Sequence, residues 1–462
     1  MDSITIKNVI KDLETAIGKR KVVYDADIIE KYSKDETSDL YHYPDIVVRA
    51  GATEDVSKTL SICSKYIVPV VARGAGTGVT GGAVPVQGGV VLSLELMNRI
   101  IEIDRENMVA VVEPGVITGD LQRAVQKEGM MYPPDPASLD SCSIAGNVAE
   151  GAGGPRAVKY GTTKDYIIGL EFVLPNGSII NYGGKIVKNA TGYNLSGVLV
   201  GSEGTLAVIT KIFLRLIPLP SHSLDFLIPF KNIDDAVKNV NKIICSRIIP
   251  STIEFMEEDS IKLVSEFLGG EMPFPDAGAH LLIQVDGNSE EDLLKDLESI
   301  TACVDTDYEI IVAQSRSQSD RIWKARRSMR EAIQEKSPIF LAEDCVVPRS
   351  MIAVFLREVK DFLNTRNLSS VMFGHAGDGN VHIDVLKKDI DYVEWKKMLP
   401  ELKENIYKIA IKHGGTISGE HGIGYIRKDF LSLAVSRDEI DLLRRIKHAF
   451  DPDMILNPGK IF

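Results

Sequence analysis

The segment Arg73-Gly74-Ala75-Gly76-Thr77-Gly78-Val79-Thr80-Gly81-Gly82 decides which fold the N-terminal half of this chain can adopt. It continues the run Val68–Arg73, whose β-branched residues predict a strand. Its glycines include the spacing G-x-G-x-x-G, which is typical of a Rossmann dinucleotide site when a helix opens at the glycines. Glu95, 19 residues beyond Gly76, lies where such sites carry an acidic residue for the ribose.

No helix fits after these glycines. A parallel crossover takes about a dozen residues or more, but only Ala83–Gly89 separates the glycines from the predicted strand Val90–Leu94. Pro85 also lies in that gap. We therefore exclude the Rossmann fold and interpret the segment as a loop whose backbone N–H groups can bind phosphate. A plain surface loop is the alternative for this segment taken alone.

The rest of the N-terminal half alternates short strands, helical stretches and further glycine clusters, which predicts an α+β domain. Several glycine-rich loops between strands indicate a long ligand laid across the domain, such as a dinucleotide. The predicted elements are strands at Asp45–Arg49, Ile100–Ile103 and Met108–Glu113, a helix at residues 54–66, and a hairpin around Asn176-Gly177.

The overall composition is that of an acidic globular enzyme. The 462 residues suffice for about two or three domains. The net charge of −12 argues against nucleic acid and anionic membrane surfaces as partners. No apolar run approaches the roughly 18 residues that a membrane helix needs. Met1–Lys21 predicts an amphipathic helix without the apolar core of a signal peptide, so we expect a cytoplasmic protein.

The five cysteines are too far apart in sequence to form a C-x-x-C motif, so zinc-ribbon and iron–sulfur spacings are absent. If the protein transfers electrons, it therefore holds no iron–sulfur cluster of its own.

A change of composition near Pro218–Ser221 separates the two halves of the chain. The second half opens with the order strand–helix–strand, strand–helix–strand, which is ferredoxin-like, with an insert after the second strand. Helical patterns at residues 319–335, 349–366 and 392–413 flank a predicted hairpin at about 371–386. The four predicted strands of the ferredoxin-like part are Leu224–Phe230, Thr252–Met256, His280–Asp286 and Tyr308–Gln314.

Two glycine-rich segments near the C-terminus carry the residues best suited to chemistry. They are Gly374-His375-Ala376-Gly377-Asp378-Gly379-Asn380-Val381-His382 and Ser418-Gly419-Glu420-His421-Gly422-Ile423-Gly424. Pairing across the predicted hairpin places His375 near His382, and Glu420 offers a carboxylate. Two histidines and one carboxylate fit a divalent metal, and residue types do not choose between zinc, iron and manganese. We expect His42, His222, His280, His413 and His448 to be structural, since they lack such neighbours.

The motifs R-G-x-G-T-x-x-x-G-G, P-P-D-P, I-x-G-N, G-x-E-G-T-L, G-H-x-G-D-G-N-x-H and G-E-H-G-I-G occur in this order along the chain. The set resembles the FAD-dependent D-2-hydroxyacid dehydrogenases of the vanillyl-alcohol-oxidase superfamily. Overall similarity is to the dehydrogenase subunit of electron-bifurcating lactate dehydrogenases. The resemblance implies a helical segment at residues 1–40 and a two-subdomain FAD-binding domain at 41–220. A ferredoxin-like α+β cap domain with C-terminal helices would follow at 221–462, with the metal site and a tail returning to the FAD domain.

The resemblance also implies where FAD binds. Covalent relatives carry a histidine where Thr77 stands, so we expect FAD to be held without a covalent bond. Positions that line the cofactor in the family match Arg73, Gly74, Ala75, Gly76, Thr77, Gly78, Gly81, Gly82, Pro134, Asp135, Ser138, Gly146, Asn147, Gly151, Gly161, Glu203 and Asn457.

The reaction implied by the resemblance is oxidation of a 2-hydroxy acid to a 2-oxo acid, with the α-hydrogen passing to the flavin as hydride. The metal of His375, His382 and Glu420 would act as a Lewis acid, and His421 would be the general base. Arg326 matches the family's W-x-x-R residue for the substrate carboxylate. Arg330 shares the helix face of Arg326 and is otherwise a solvated cation.

Substrate size and partners complete the expectations. Relatives specific for larger dicarboxylates carry a lysine in the segment aligned with Leu341–Asp344, and this chain has none. A short substrate is therefore favoured, D-lactate first. A glycolate oxidase-type subunit and a non-redox flavin transferase of the same superfamily are the alternatives. We expect electron-transfer flavoprotein subunits as partners in a hetero-oligomer, with no nucleic acid and no membrane span.

Overall fold

The computed structural model describes residues 2–462; Met1, the first residue of the predicted N-terminal helical segment, lies outside them. The chain forms two compact units. The first unit comprises the chain up to Ala152, Thr162–Leu219 and Glu420–Phe462, and the second comprises Gly153–Gly161 and Pro220–Gly419. The helices before residue 40 thus belong to the first unit, and the chain returns to that unit at Glu420.

The strands of the described residues follow one another along the chain. They are β1 Val22–Val23, β2 Ile46–Arg49, β3 Val70–Arg73, β4 Val90–Ser93, β5 Ile100–Asp104, β6 Val109–Val112, β7 Met130–Met131, β8 Ile167–Val173, β9 Ile179–Gly183, β10 Val208–Arg215, β11 Ile217–Pro218, β12 His222–Phe230, β13 Thr252–Glu257, β14 Ala279–Gly287, β15 Ile311–Val312, β16 Phe340–Val346, β17 Ser369–His375 and β18 Asn380–Leu386.

The helices of the same residues are α1 Ser3–Ile17, α2 Ala26–Ile29, α3 Thr53–Tyr66, α4 Thr118–Lys127, α5 Ile144–Glu150, α6 Ala157–Tyr160, α7 Leu195–Leu199, α8 Ile233–Cys245, α9 Glu258–Phe267, α10 Glu290–Cys303, α11 Arg316–Arg327, α12 Met329–Lys336, α13 Ile352–Asn364, α14 Tyr392–Lys412, α15 Leu431–Ala434 and α16 Arg437–Phe450. Short 3₁₀ turns occupy Lys19–Lys21, Glu30–Tyr32, Thr163–Asp165, Arg349–Met351 and Lys428–Phe430. No helix among residues 2–462 is both long enough and apolar enough to cross a membrane.

The first unit contains two main sheets. One has the order β1-β2-β4-β3, in which β2 and β3 both run parallel to β4. The other is antiparallel with the order β5-β6-β10-β8-β9. Helix α1 packs against α3, and its apolar side chains join the core formed by β2, β3 and β4. The C-terminal segment extends the first sheet, because the Val70 N–H donates to the Ile455 carbonyl at 2.7 Å.

The exclusion of a Rossmann helix is confirmed. Between β3 and β4 the chain runs through turns and bends at residues 74–89. The parallel neighbours β3 and β4 are therefore joined by a glycine-rich loop. A nucleotide bound here meets the loop's backbone and no helix N-terminus within this connection.

The second unit is built on a seven-stranded antiparallel sheet with the order β15-β12-β14-β13-β17-β18-β16. Numbered by occurrence, its first four strands have the order 4-1-3-2, which is the ferredoxin-like arrangement. Helix α9 is the insert, and α8 and α10 pack on β12 and β14. Helices α11 and α12 contribute to the apolar core with side chains from the sheet. The α+β fold class is confirmed, and the histidine hairpin β17–β18 extends the ferredoxin-like sheet.

Two predicted elements differ in extent, and one strand was not predicted. The fourth strand, expected at Tyr308–Gln314, shortens to β15, which pairs with β12 alone at the edge of the sheet. The helix expected at 319–335 divides at Ser328 into α11 and α12. Strand β16 was not predicted, because the buried charged residues Glu343 and Asp344 interrupt its apolar pattern. Packing of the sheet, rather than strand propensity, forms β16.

Candidate functional site

The loop after β3 in the first unit is shaped by Arg73 and by glycine. Arg73 is 8% exposed, and its Nη1 donates to the Lys34 carbonyl at 2.8 Å. Gly76 has φ +76°, and a Cβ there would lie 2.1 Å from Arg73 Nη2. In the described part of the chain, no hydrogen bond uses the backbone N–H groups of residues 75–78. The loop therefore offers several backbone donors beside a buried cation, which suits a phosphate group.

A cavity of about 460 Å³ opens beside this loop within the first unit. Gly74 packs tightly against the start of α5, since a Cβ there would lie 2.1 Å from Ser143 Oγ. The cavity fits part of an extended dinucleotide, with backbone at one end and Tyr32 in its wall. Its lining residues are Lys31, Tyr32, Arg73, Gly74, Ala75, Glu95, Asn98, Ile100, Gly115, Val116, Ile117, Asp120 and Ser143.

The structure brings several, but not all, of the predicted FAD residues to this region. Asn457 Nδ2 donates to the carbonyls of Gly82 and Glu203 at 2.9 and 2.7 Å. Asn147 lies on α5, with Nδ2 bonded to Thr118 Oγ1 at 2.7 Å, and Gly151 ends that helix in the left-handed conformation.

Pro134, Ser138 and Gly161 are also predicted FAD residues, and they have other neighbours. The Pro134 carbonyl accepts from Gln122 Nε2 at 2.8 Å, and the Ser138 carbonyl accepts from the backbone of Cys142 at 2.8 Å. Gly161 belongs to the second unit. Sequence reasoning did not select the cavity residues Gly115 to Ile117 and Asn98. The one feature of the sequence that points to these cavity residues is the pair Pro114-Gly115 directly after a predicted strand.

Glu203 holds the segment that carries His421. Its Oε1 accepts from the Ile423 N–H at 2.8 Å and its Oε2 from the Gly424 N–H at 2.6 Å. Burial raises the pKa of Glu203, and these two N–H groups oppose the rise. Burial and the charge of Glu203 raise the pKa of the neighbouring Glu150 well above its usual range. A contact between Glu203 and FAD stays a prediction; its observed partners are backbone groups of the Gly422–Gly424 turn.

His421 and Glu420 are adjacent in the first unit, with His421 Nε2 3.6 Å from Glu420 Oε1. The His421 carbonyl accepts from Thr80 Oγ1 at 3.3 Å, so the glycine loop contacts this segment directly. The His421 side chain is about one-third exposed, at 31%. It is thus accessible to a small molecule while its backbone is fixed.

In the second unit, the predicted proximity of His375 and His382 is confirmed. Their ring centroids lie 5.2 Å apart with planes at 85°. The hairpin register explains this, because Phe373 lies opposite His382 and His375 is two residues further along the same strand. Diagonal neighbours on one face of a hairpin place two imidazoles within reach of one ion.

Glu254 is a residue of this site that sequence reasoning missed. It lies opposite His375 across β13 and β17, and it is fully buried. His375 Nδ1 lies 2.5 Å from Glu254 Oε1, and Arg326 Nε donates to Oε2 at 2.8 Å. Burial alone would raise the pKa of Glu254, but the charges of His375 and Arg326 hold it below its usual range. A carboxylate behind one ring nitrogen is the usual environment of a metal-binding histidine, so this donor set fits a metal.

The two arginines of the predicted carboxylate-binding helix differ. Arg326 pairs with Glu254 and stacks on Phe373, 4.6 Å from the ring centroid. Arg330 lies on the next helix, α12, and stacks on Phe340. Burial is the main cause that raises the pKa of Asp384 to about 7, although the charges of Arg330 and Arg326 oppose the rise. The second unit therefore gathers cations and a weakly acidic carboxyl beside the histidine pair.

Asp344 fixes Ser418 and Gly419, the two residues that precede Glu420. Its Oδ2 accepts from Ser418 Oγ at 3.1 Å and from the Gly419 N–H at 3.0 Å. Its Oδ1 accepts from Asn380 Nδ2 in the hairpin at 2.5 Å. The chain leaves the second unit directly after Gly419, so Glu420 is the first residue of the returning segment. Of the predicted metal ligands, the second unit supplies His375 and His382, and Glu420 belongs to the first.

Comparisons with known proteins agree with this architecture. Residues 44–183 match the FAD binding domain family, and residues 219–461 match the family of FAD linked oxidases, C-terminal domain. Glycolate oxidase subunit GlcD of Bacillus subtilis (strain 168) is 41% identical over 433 residues, covering 93% of this chain and 92% of that protein. D-lactate dehydrogenase of Anaerostipes hadrus is 37% identical over 454 residues, covering 96% and 95%.

A solved structure shows the same fold at low sequence identity. The 4-ethylphenol oxidase from Gulosibacter chungangensis, solved with isoeugenol, superposes with a TM-score of 0.80 at 21% identity, covering 100% of this chain and 98% of that one. At this sequence identity the likeness shows a shared fold. By its matched domains and relatives, the chain belongs to the FAD-linked oxidases, and within them to the FAD-dependent D-2-hydroxyacid dehydrogenase family.

Proposed function

We propose that this protein oxidises a small D-2-hydroxy acid, with D-lactate favoured, to the corresponding 2-oxo acid. The observation that carries the proposal is the set His375, His382, Glu254 and Arg326 in the second unit. Two imidazoles lie together on one sheet, and Glu254 joins His375 to the cation of Arg326 on helix α11. An imidazole pair suits a metal that binds a hydroxyl, and a guanidinium suits a carboxylate. A 2-hydroxy acid presents both groups on adjacent carbons.

FAD and a divalent metal complete the proposed site. When bound, FAD supplies the hydride acceptor. A bound zinc, iron or manganese ion would supply a Lewis acid. His375 and His382 would hold that ion together with Glu420. Thr77 lacks the imidazole that forms the covalent flavin link in relatives with a histidine at this position, which supports non-covalent FAD.

His421 is the proposed base. Its partly exposed ring can take the substrate hydroxyl proton, while the Glu203 contacts to Ile423 and Gly424 keep its segment in place. Arg326 would orient the substrate through its carboxylate. Its Nε is held by Glu254, and the terminal nitrogens of the guanidinium are the ones suited to a second carboxylate.

Two substrates of similar size remain in competition. The similar proteins include a glycolate oxidase subunit and a D-lactate dehydrogenase. Glycolate lacks only the methyl group of lactate, so binding energy separates the two weakly. A short substrate is favoured over a dicarboxylate, because no lysine occurs in Leu341–Asp344.

We further propose that the electrons leave through an electron-transfer flavoprotein in a hetero-oligomer. Two observations support this proposal: the chain belongs to a family of FAD-linked enzymes, and its cysteines have no iron–sulfur spacing. A cytoplasmic location stays a prediction. Co-purification of the protein from its native source, with flavin counted per chain, tests the partner.

The experiment that tests the reaction is anaerobic titration of the flavin with D-lactate, L-lactate, glycolate and D-2-hydroxyglutarate. We expect D-lactate to bleach the flavin band at about 450 nm, with L-lactate inactive. Bleaching by glycolate but not by D-lactate would move the assignment to the glycolate oxidase type. A flavin that no hydroxy acid bleaches would instead support the non-redox transferase alternative.

A further inference from the structure

Glu254 is a fully buried carboxylate that is bound on both sides. It lies in β13, and its side chain has no exposed surface. One carboxylate oxygen faces His375 Nδ1 at 2.5 Å, and the other accepts from Arg326 Nε at 2.8 Å. Carboxylates are rarely buried this completely unless they are paired, and here the two oxygens of one side chain each have a cationic or ionisable partner.

The two partners of Glu254 lie on different elements of the fold. The register of β13 and β17 sets Glu254 directly opposite His375. Helix α11 brings Arg326 over the same face of the sheet, where its guanidinium stacks on Phe373. The two partners of Glu254 therefore have separate proposed roles, since His375 would hold the metal and Arg326 would bind the substrate carboxylate.

We infer that Glu254 is a positioning residue that orients the metal-binding His375 and the substrate-binding Arg326 through one shared carboxylate. This inference rests on the proposed function. By accepting from Nδ1–H, Glu254 fixes the tautomer in which Nε2 of His375 is the metal-binding nitrogen. By accepting from Nε–H, it directs the terminal nitrogens of Arg326 away from β13. The carboxylate of Glu254 would therefore set the distance between the metal and the substrate carboxylate.

A purely structural role for Glu254 is the competing explanation, and the protein contains a matched control for it. Asp225 on β12 is also buried and also fastens α11. It accepts from Trp323 Nε1 at 2.9 Å and from Ser319 Oγ at 2.5 Å. Within residues 2–462, Asp225 makes no hydrogen bond or ion pair with His375 or Arg326. Loss of Asp225 weakens the same helix attachment without touching either proposed ligand.

The test compares Glu254→Gln with Asp225→Asn in the full-length FAD-bound protein. Glutamine has one accepting oxygen, so it can accept from Nδ1–H of His375 or from Nε–H of Arg326 but not from both. Three quantities are measured. They are the zinc affinity of the metal-stripped protein by competition with a chromophoric chelator, the ¹⁵N and proton shifts of His375, and KM and kcat for D-lactate. The His375 signal is identified by its absence in His375→Gln.

We expect Glu254→Gln to weaken zinc binding about 10- to 100-fold, to shift the Nδ1 proton of His375, and to raise KM as well as lower kcat. Asp225→Asn is expected to lower thermal stability while changing zinc affinity and KM by less than about twofold. Equal effects of the two substitutions would overturn the inference, as would native-like zinc affinity in Glu254→Gln.

If Glu254→Gln does not fold, Glu254→Asp provides the second test. It keeps the charge but shortens the reach by one methylene, so we expect the same direction of change in zinc affinity. Native affinity in Glu254→Asp, with an unchanged His375 signal, would refute the positioning role. If the native protein oxidises no hydroxy acid, the proposed function fails, but the zinc and His375 measurements still decide whether Glu254 orients His375.

Discussion

The proposed ligand sites at the glycine loop, residues 73–82, and at the histidine hairpin, residues 369–386, are built in opposite ways. The loop offers backbone N–H groups and has no room for a side chain at Gly74 or Gly76, since a Cβ on either would meet another atom at 2.1 Å. The hairpin is regular strand, and its proposed metal site depends on the side chains of His375 and His382. The loop is thus sensitive to added atoms, and the hairpin is sensitive to changed chemistry.

His382→Gln should give the largest effect. Glutamine fits a strand position but is a poor ligand for zinc or iron, so we expect turnover of D-lactate to fall about 1000-fold or more, by the several kcal/mol that a Lewis acid supplies. FAD content should stay native. Stopped-flow reduction of the flavin and metal analysis check the result, with His448→Gln as the control. Loss of FAD with retained metal would contradict the separation of cofactor binding in the loop from metal binding in the hairpin.

His280 sharpens the comparison, because it is a buried histidine of the same sheet that lies outside the proposed site. Burial lowers its pKa to about 4, against 6.5 without burial, and its Nε2 contacts the Phe274 carbonyl at 3.1 Å. Below pH 6.5 the unfolded chain takes up a proton that the folded protein excludes. The stabilisation is therefore present above pH 6.5 and is lost as the pH falls toward 4.

The expected loss between pH 7.5 and 5 is about 2 kcal/mol, from 1.36 kcal/mol per pH unit and site. Urea unfolding of the native protein and of His280→Gln at both pH values measures it. The substitution should reduce the pH dependence of the free energy of unfolding by about this amount. An identical pH dependence in the two proteins would show that His280 is not the responsible group.

Gly76→Val tests the loop directly. A β-branched residue with φ +76° costs about 1–2 kcal/mol, and the new side chain would displace Arg73. We expect FAD to bind about 5- to 30-fold more weakly, by the same 1–2 kcal/mol, while the hairpin chemistry is unaffected once FAD is saturating. Gly129→Val is the matched control, because Gly129 has φ +72° but no atom within 4 Å of the added Cβ. Equal weakening of FAD binding by the two substitutions would show that the effect comes from general destabilisation.

Ser143→Ala should give the smallest effect. Ser143 caps α5 by accepting from the Gly146 N–H at 3.3 Å, directly behind Gly74. Loss of an N-cap costs about 1 kcal/mol, so we expect a modest decrease in thermal stability and only a slight change in FAD affinity. A differential scan with and without added FAD measures both. A large loss of FAD affinity would instead indicate that the Ser143 hydroxyl binds the cofactor.

Much of the fold followed from local patterns. The short gap Ala83–Gly89 excluded the Rossmann helix, and the alternation of strands and helices after residue 220 predicted the ferredoxin-like order. Strand β16 could not be predicted, because Glu343 and Asp344 are charged residues that become acceptable inside the protein only through partners. Tyr407 donates to Glu343, and Asn380 donates to Asp344. Such partners are far away in sequence.

The candidate site likewise has a part that the sequence predicted and a part that only the tertiary structure revealed. The nearness of His375 and His382 follows from the geometry of a hairpin with a short turn, so the sequence by itself determined it, together with the flavin family. The tertiary structure alone decided that Glu254, 121 residues before His375, lies behind its ring. It likewise decided that Glu203 holds the Ile423–Gly424 turn. These contacts depend on the order of strands in a sheet and on where the chain re-enters a unit, which are properties of the packed core that no local spacing encodes.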